Sequence, residues 1–129
     1  MTAFEAASVY IGGDKIRDAS AAAWTAHPKF DGVYTKSLIG CDESGKGLNA
    51  MLVKIEPNSA IGNHMHGKEA ELHEVIYGEG EARIGELSAE YKTGAISLIP
   101  PDTPHSVKAF NSGLVMIAIF APSERQRDL

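Results

Sequence analysis

The feature that most constrains the fold is a succession of short strand-like segments that fills the chain from Leu48 onward. LNAMLVKIEP alternates around Met51, Val53 and Ile55, and GLVMIAIFAP is the most apolar stretch. Between them lie ELHEVIYG, EARIGEL, GAISLIPP and SVKAF, separated by the turn-forming sequences EPNS, GEG, PPDTP and NSG. Alternation with a period of two predicts strands, and turns at such short intervals are typical of an antiparallel barrel or sandwich.

The first forty residues are less regular. SVYIGG and VYTKSLIG predict two strands, DASAAAW predicts one or two helical turns capped by Asp18 or Ser20, and HPKFDG predicts a turn. A chain of 129 residues has room for one compact domain. We therefore divide the sequence into an N-terminal extension (1–40), a β domain (41–122) and a charged tail (123–129).

Charge and composition argue against several kinds of partner. The net charge is −5 and no Lys or Arg cluster is present, so we expect no nucleic-acid partner. No stretch approaches the roughly 20 apolar residues that span a bilayer, and the N-terminus lacks a basic segment followed by an apolar one. Cys41 is the only cysteine, which excludes an intramolecular disulfide. We expect a cytoplasmic protein without a membrane partner.

A cluster of polar side chains interrupts this apolar pattern. Three of the five histidines and three carboxylates fall within HMHGKEAELHE, which begins at His64. On a strand, alternate side chains share a face, so His64 pairs with His66, and Glu71 pairs with His73 on the next strand. His105 follows the turn PPDTP much later. Imidazole nitrogens with one carboxylate oxygen are the ligand mixture of iron, manganese, nickel, copper and zinc.

These residues resemble the two sequence motifs of the cupin family. NSAIGNHMHGKEAELHEVIYG matches the first motif, G-x5-H-x-H-x(3,4)-E-x6-G, with Asn58 at the first glycine, and Asn tolerates the left-handed conformation that such a turn can require. GAISLIPPDTPHSVKAFN matches the second motif, G-x5-P-x-G-x2-H-x3-N. Here Asp102 stands where glycine is usual, and the asparagine comes late, at Asn111. The resemblance covers roughly residues 48–121.

The resemblance implies an all-β fold, a double-stranded β-helix (jelly-roll barrel) with a short N-terminal extension. It implies one divalent transition metal (Fe, Mn, Ni, Cu or Zn) held by His64, His66, Glu71 and His105. It also implies a mouth through which a small-molecule ligand or substrate reaches the open coordination positions. The N-terminal extension would add strands or a dimer arm, and we expect a homodimer.

Three side chains near these motifs have more than one interpretation. His73 shares a face with Glu71, and is predicted to be a hydrogen-bond partner of the site, an acid/base group, a replacement ligand or a structural histidine. Tyr77, on the same face, is predicted to fill the barrel. His27 precedes Pro28 in a turn and is predicted to lie at the surface, with a place in a partner subunit's pocket as the alternative.

Two functions of different kinds fit these observations. The first is a metal-dependent enzyme, either a dioxygenase or an isomerase or lyase acting on a small organic acid or sugar. In a dioxygenase Glu71 would double as a proton acceptor, and in an isomerase or lyase His73 would be the base, because the pKa of an unperturbed imidazole is about 6.5. The second is a non-catalytic domain that binds or senses a small ligand. A compact, partly apolar ligand is favoured by the predicted interior residues Met51, Val53, Ile55, Val75 and Tyr77.

Overall fold

A computed structural model describes residues 3–12, 15–45 and 47–122, so the predicted charged tail lies outside the described residues. Within these ranges the chain forms ten strands: β1 (Ser8–Ile11), β2 (Lys15–Asp18), β3 (Thr25–Ala26), β4 (Val33–Ile39), β5 (Asn49–Ile55), β6 (Ala60–His64), β7 (Glu69–Ile84), β8 (Leu87–Lys92), β9 (Ile96–Ile99) and β10 (His105–Pro122). The helical elements are short: two 3₁₀ turns, Ala3–Ala6 and Ala19–Ala21, and one α-helical turn, α1 (Cys41–Ser44). None of the described helices is long and apolar enough to cross a membrane. The predicted all-β jelly roll is confirmed.

Two long strands, β7 and β10, join the two layers of the jelly roll. They pair antiparallel, from His105 opposite Ile84 to Pro122 opposite Glu69. In one layer, the second half of β10 pairs with β5, the first half of β7 pairs with β9, and the sheet continues through β4 to β3. In the other layer, the first half of β10 pairs with β6 and the second half of β7 pairs with β8. The apolar core lies between these layers.

The sequences GEG and NSG, which were predicted to be turns, lie inside β7 and β10. A Cβ atom on Gly78 would lie 1.9 Å from the carbonyl oxygen of Gly113, and one on Gly80 would lie 2.2 Å from that of Lys108. The glycines therefore allow two backbones to approach closely where the strands pass from one layer to the other. The chain reverses later, at Gly85, between β7 and β8.

Tyr77 lies outside the core, so the prediction that it fills the barrel was wrong. The register of β7 against β10 shifts between Val115, which is opposite Tyr77, and Met116, which is opposite Val75. One extra residue, Ile76, is thus accommodated in β7, and such a bulge changes which face the following side chains occupy. Val75 is buried, whereas Tyr77 is 50% exposed.

The N-terminal residues pack on the outer face of β4. Lys36 of β4 is buried there, and its ammonium donates to the carbonyl of Ala19 at 3.2 Å and lies 5.2 Å from the ring centroid of Trp24. The 3₁₀ turn that contains Ala19 begins as predicted, because the carboxylate of Asp18 accepts a hydrogen bond from the backbone N–H of Ser20 at 2.9 Å. These contacts anchor the start of the chain to the large sheet.

Two motif positions that usually carry glycine adopt left-handed backbone conformations. Asn58 has φ 62° and Asp102 has φ 57°. Asn and Asp reach this region more readily than other residues with a side chain, which explains why the turns survive the substitutions. The backbone N–H of Asp102 donates to the carbonyl of His66 at 3.1 Å, so this turn also holds the loop that carries a predicted ligand.

Candidate metal site

The four predicted ligands come together inside the jelly roll. His64 ends β6 and lies opposite His105, the first residue of β10. His66 follows two residues after β6, and Glu71 is the third residue of β7. Each of the four offers one ligand atom, and these atoms all lie within 4.8 Å of one another. These four residues could hold a metal ion, and we call them the metal group.

Backbone carbonyls orient two of the imidazoles. Nδ1 of His64 lies 2.8 Å from the carbonyl oxygen of Gly62, and Nδ1 of His105 lies 2.9 Å from that of Thr103. Because a carbonyl oxygen only accepts, each Nδ1 carries the proton and donates it. In the neutral ring, Nε2 is then left with a lone pair, as in metal-bound histidines that donate their other nitrogen to a carbonyl.

The close approach of His105 to Glu71 indicates that the metal group suits a cation. Nε2 of His105 lies 3.1 Å from Oε1 of Glu71, and Nε2 of His66 lies 3.5 Å from the same oxygen. Nδ1 of His105 donates to a carbonyl, so in the neutral ring Nε2 carries no hydrogen. Two hydrogen-bond acceptors, Nε2 and the carboxylate oxygen, would then face each other. A cation between the two atoms, either a proton or a metal ion, removes this conflict. Three imidazoles and one carboxylate suit a borderline divalent ion, so the residues fit the predicted metal.

Burial and hydrogen bonding act in opposite directions on the pKa values of the group. Burial raises the pKa of Glu71, but hydrogen bonds from His105 and His73 outweigh it and hold the pKa at about 2. Burial lowers the pKa of His105, but its hydrogen bonds with Glu71 and the Thr103 carbonyl raise it above the ordinary value. Burial dominates at His64 and lowers its pKa. At neutral pH the group thus offers an ionised carboxylate and a neutral His64 imidazole.

His73 stands behind Glu71 and is 2% exposed. Its Nε2 lies 2.6 Å from Oε2 of Glu71, its Nδ1 lies 2.8 Å from the hydroxyl of Tyr91, and that hydroxyl lies 2.5 Å from the hydroxyl of Ser97. Because the ionised carboxylate only accepts, Nε2 donates to it, Nδ1 accepts from Tyr91, and Tyr91 accepts from Ser97. We call this the Ser97–Tyr91–His73 chain.

This geometry favours one of the four interpretations of His73, that of a hydrogen-bond partner of the site. Both ring nitrogens are engaged by protein groups, and the ring is not part of the metal group. Neither Tyr91 nor Ser97 was predicted to be a hydrogen-bond partner of His73. They come from β8 and from β9, and only the pairing of those strands with β7 brings them to His73.

A cavity of about 90 Å³ lies beside the metal group. His64, Glu71 and His73 contribute its polar side, and its other walls are largely apolar, including Val53, Val107 and Met116. His27 precedes a turn as predicted, but it is partly buried and also lines the cavity. The sequence carries no signal for this position, because β3 is two residues long and its pairing with β4 decides where the following turn lies.

A jelly roll that gathers three imidazoles and one carboxylate beside an internal cavity defines a small all-β protein with a candidate metal centre. A family model described as the cupin domain matches residues 51–120. The chain belongs to this cupin family. None of the curated proteins compared with the chain matches it.

Several solved structures have a similar fold. KdgF from Halomonas sp. has a TM-score of 0.69 and 21% identity, covering 84% of this chain and 91% of that one. The polyketide cyclase RemF from Streptomyces resistomycificus has a TM-score of 0.71 and 18% identity, covering 89% and 83%. Oxalate decarboxylase from Bacillus subtilis, described with Mn(II) centres, has a TM-score of 0.69 and 21% identity, covering 83% and 29%. Similarity at these identities shows a shared fold alone.

Proposed function

We propose that this protein is a metal-dependent enzyme that acts on a small organic acid or sugar, as an isomerase or lyase or as a dioxygenase. The observation that carries the proposal is the metal group beside a cavity, with four donor atoms within 4.8 Å of one another. Four protein ligands leave positions open on an ion that takes five or six, and the cavity supplies room for a ligand there. The Mn(II) centres of the Bacillus subtilis neighbour support manganese among the candidate ions.

The chemistry divides between the ion and the chain. A bound divalent ion would polarise a carbonyl or carboxylate oxygen of the ligand. Glu71 is the chain's proton acceptor in this proposal, because its Oε1 faces the group. His73 holds Oε2 and so keeps Oε1 turned toward the ion and the cavity. The largely apolar walls lower the local dielectric constant, which strengthens the electrostatic interactions there.

The size of the cavity limits the substrate. At about 90 Å³ the cavity is far smaller than the 300 Å³ or more of a site for a drug-sized ligand. A short acid, or one end of a sugar, fits this space, whereas a polysaccharide would leave nearly all its length outside.

The proposal also includes the oligomeric state and the cellular location of the enzyme. We propose a homodimer formed through the outer face of β9 and β7. Ile96 and Leu98 of β9 are 65% and 64% exposed, and Leu98 continues a row through Leu72 to Ile119. An apolar sheet face is complementary to itself about a two-fold axis, so a second copy of the chain is the partner that we propose for this face.

We also propose a cytoplasmic location, which agrees with the exposed thiol of Cys41.

Elemental analysis of protein purified without a metal-affinity tag tests the metal centre. We expect about one equivalent of a divalent transition metal in the wild type, and its loss in the His64→Ala/His105→Ala double variant and in Glu71→Gln. Glu69→Gln is the matched control, because it makes the same change two residues earlier on β7, outside the metal group. A wild type that carries no metal and takes none up would contradict the proposal.

Turnover by the metal-loaded protein then separates the reaction classes. Small organic acids and sugars are incubated with it while dioxygen consumption is recorded and products are analysed by mass spectrometry. Dioxygen uptake indicates the dioxygenase, and conversion without uptake indicates the isomerase or lyase. Binding of these compounds without conversion would favour the non-catalytic domain instead.

A further inference from the structure

His27 lies outside the part of the chain matched by the cupin model, yet it borders the same cavity as the metal group. The backbone fixes its position, because its N–H donates to the carbonyl of Val33 at 2.8 Å, immediately after β3 pairs with β4. Its side chain is partly buried. The residue is thus held at the cavity by the main chain.

The turn that follows His27 determines which ring nitrogen carries the proton. Nδ1 of His27 accepts hydrogen bonds from the backbone N–H groups of Lys29, at 3.0 Å, and Phe30, at 3.3 Å. A nitrogen that accepts has no hydrogen of its own, so the neutral ring carries its hydrogen on Nε2. With Nδ1 turned to the backbone, Nε2 is the donor that the ring can present to the cavity.

Phe30 connects His27 to the metal group. The Phe30 ring centroid lies 4.9 Å from that of His27 and 6.0 Å from that of His64. Phe30 also packs on Gly62, where an added Cβ would lie 3.0 Å from the ring, and the carbonyl of Gly62 orients His64. The Phe30 ring thus contacts both His27 and His64, and these two histidines line the same cavity.

The rest of the cavity wall limits where a ligand can form polar contacts. Beyond His64, Glu71 and His73, the polar side chains that line the cavity are His27 and Thr35. A ligand with an oxygen at the metal group is therefore surrounded by largely apolar walls, to which His27 adds a further polar group. Lys29, an exposed residue two positions after His27, places its ammonium 5.7 Å from the Phe30 ring centroid and so adds positive charge near this part of the chain.

We propose that His27 determines ligand specificity: its Nε2–H donates to a second carboxylate of a short diacid whose first carboxylate lies at the metal group. This inference rests on the proposed function, since it needs a small acid in the cavity. It adds a residue from the N-terminal segment to the site, and it narrows the substrate class from small organic acids to short diacids.

Calorimetric titration of the protein loaded with its own metal tests the proposal with two matched pairs of acids. Malonate is compared with propionate, and succinate with butyrate, because the members of each pair differ by one carboxylate in place of a methyl group. We expect the wild type to bind at least one diacid about tenfold or more tightly than its monoacid. Chelation of the metal by both carboxylates would produce the same preference, so variants of His27 decide between the two causes.

Two substitutions separate the nitrogens of His27. In His27→Asn the side-chain oxygen can replace Nδ1 as the acceptor in the turn, but the donor at Nε2 is lost. In His27→Gln an amide N–H can reach the position of Nε2, but the acceptor in the turn is lost. We expect His27→Asn to weaken diacid binding about tenfold, with monoacid binding and metal content unchanged. We expect His27→Gln to retain part of the preference.

The possible results are distinguishable. If the wild type prefers a diacid and His27→Asn keeps that preference in full, the proposal for His27 is overturned while the metal-dependent function stands. The same holds if His27→Gln alone loses the preference, since His27 would then only cap its turn. If the metal-loaded wild type binds none of the four acids, the diacid proposal for His27 is overturned, whereas the metal-dependent function is judged separately by the metal content and by the turnover assay.

Discussion

Oε2 of Glu71 lies 2.6 Å from Nε2 of His73, while the other oxygen of the same carboxylate faces the metal group. The two oxygens thus have separate partners, and His73 leaves Oε1 for the ion. We expect His73→Phe, which keeps a ring but removes the donor, to weaken metal binding by about 10-fold to 100-fold in a competitive chelator titration. His73→Gln offers an amide donor and should restore part of the affinity. Equal affinities in all three proteins would show that Glu71 needs no such partner.

Tyr91 supports the ring of His73 from the other side. In Tyr91→Phe the buried Nδ1 of His73 loses its donor, so we expect the free energy of unfolding to fall by about 1–3 kcal/mol in a denaturant titration. Tyr77→Phe removes the same hydroxyl from a ring that is 50% exposed and should change stability by about 0.5 kcal/mol or less. Similar losses in the two variants would contradict the hydrogen-bonded chain.

Removal of the metal should destabilise the protein. The four ligands converge only in the folded chain, so a bound ion stabilises the native state by about 2.7 kcal/mol at a free concentration 100 times its Kd. For a chain of this size that corresponds to a change in Tm of roughly 10 °C, measured by calorimetry before and after treatment with a chelator. Glu71→Gln should melt at the same temperature with and without the chelator. An unchanged Tm in the wild type would show that the ion is not bound in the native state.

Gly78 and Gly94 provide a matched pair, since both have positive φ angles, 85° and 95°. A Cβ on Gly78 would meet the carbonyl oxygen of Gly113, whereas one on Gly94 would meet nothing within 4 Å. We expect Gly94→Ala to cost about 1 kcal/mol from backbone strain, and Gly78→Ala to cost about 3 kcal/mol or more because β7 and β10 must also separate. Equilibrium unfolding measures both. Equal costs would mean that the two strands can move apart freely at this crossing.

The proposed dimer can be tested at Leu98. We expect the wild type to elute as a dimer in size-exclusion chromatography with light scattering, and Leu98→Lys to elute as a monomer, because a two-fold axis would bring two ammonium groups into one apolar interface. Leu87→Lys is the control, since Leu87 is 63% exposed but belongs to β8. A dimer that survives Leu98→Lys would place the interface elsewhere, and a monomeric wild type would exclude it.

The sequence was sufficient for the elements whose evidence is local. Alternation identified strands such as β4 and β5, and the spacing within the two motifs identified His64, His66, Glu71 and His105 as a set. The left-handed conformation of Asn58 was also accessible, because it depends on the residue and its immediate turn. In each case the signal is contained in one short segment, or in motifs that resemble those of a known family.

Other features depend on which strands pair and in what register, and no short segment records this. The bulge at Ile76 arises from the pairing of β7 with β10, and it moves Tyr77 out of a core in which alternation alone would have placed it. Gly78 and Gly80 resemble a turn in sequence, but they allow close contact between two strands. The Ser97–Tyr91–His73 chain joins three strands, and His27 reaches the cavity because β3 pairs with β4. Long-range pairing and packing therefore establish what surrounds the ligands, whereas local spacing identifies the ligands themselves.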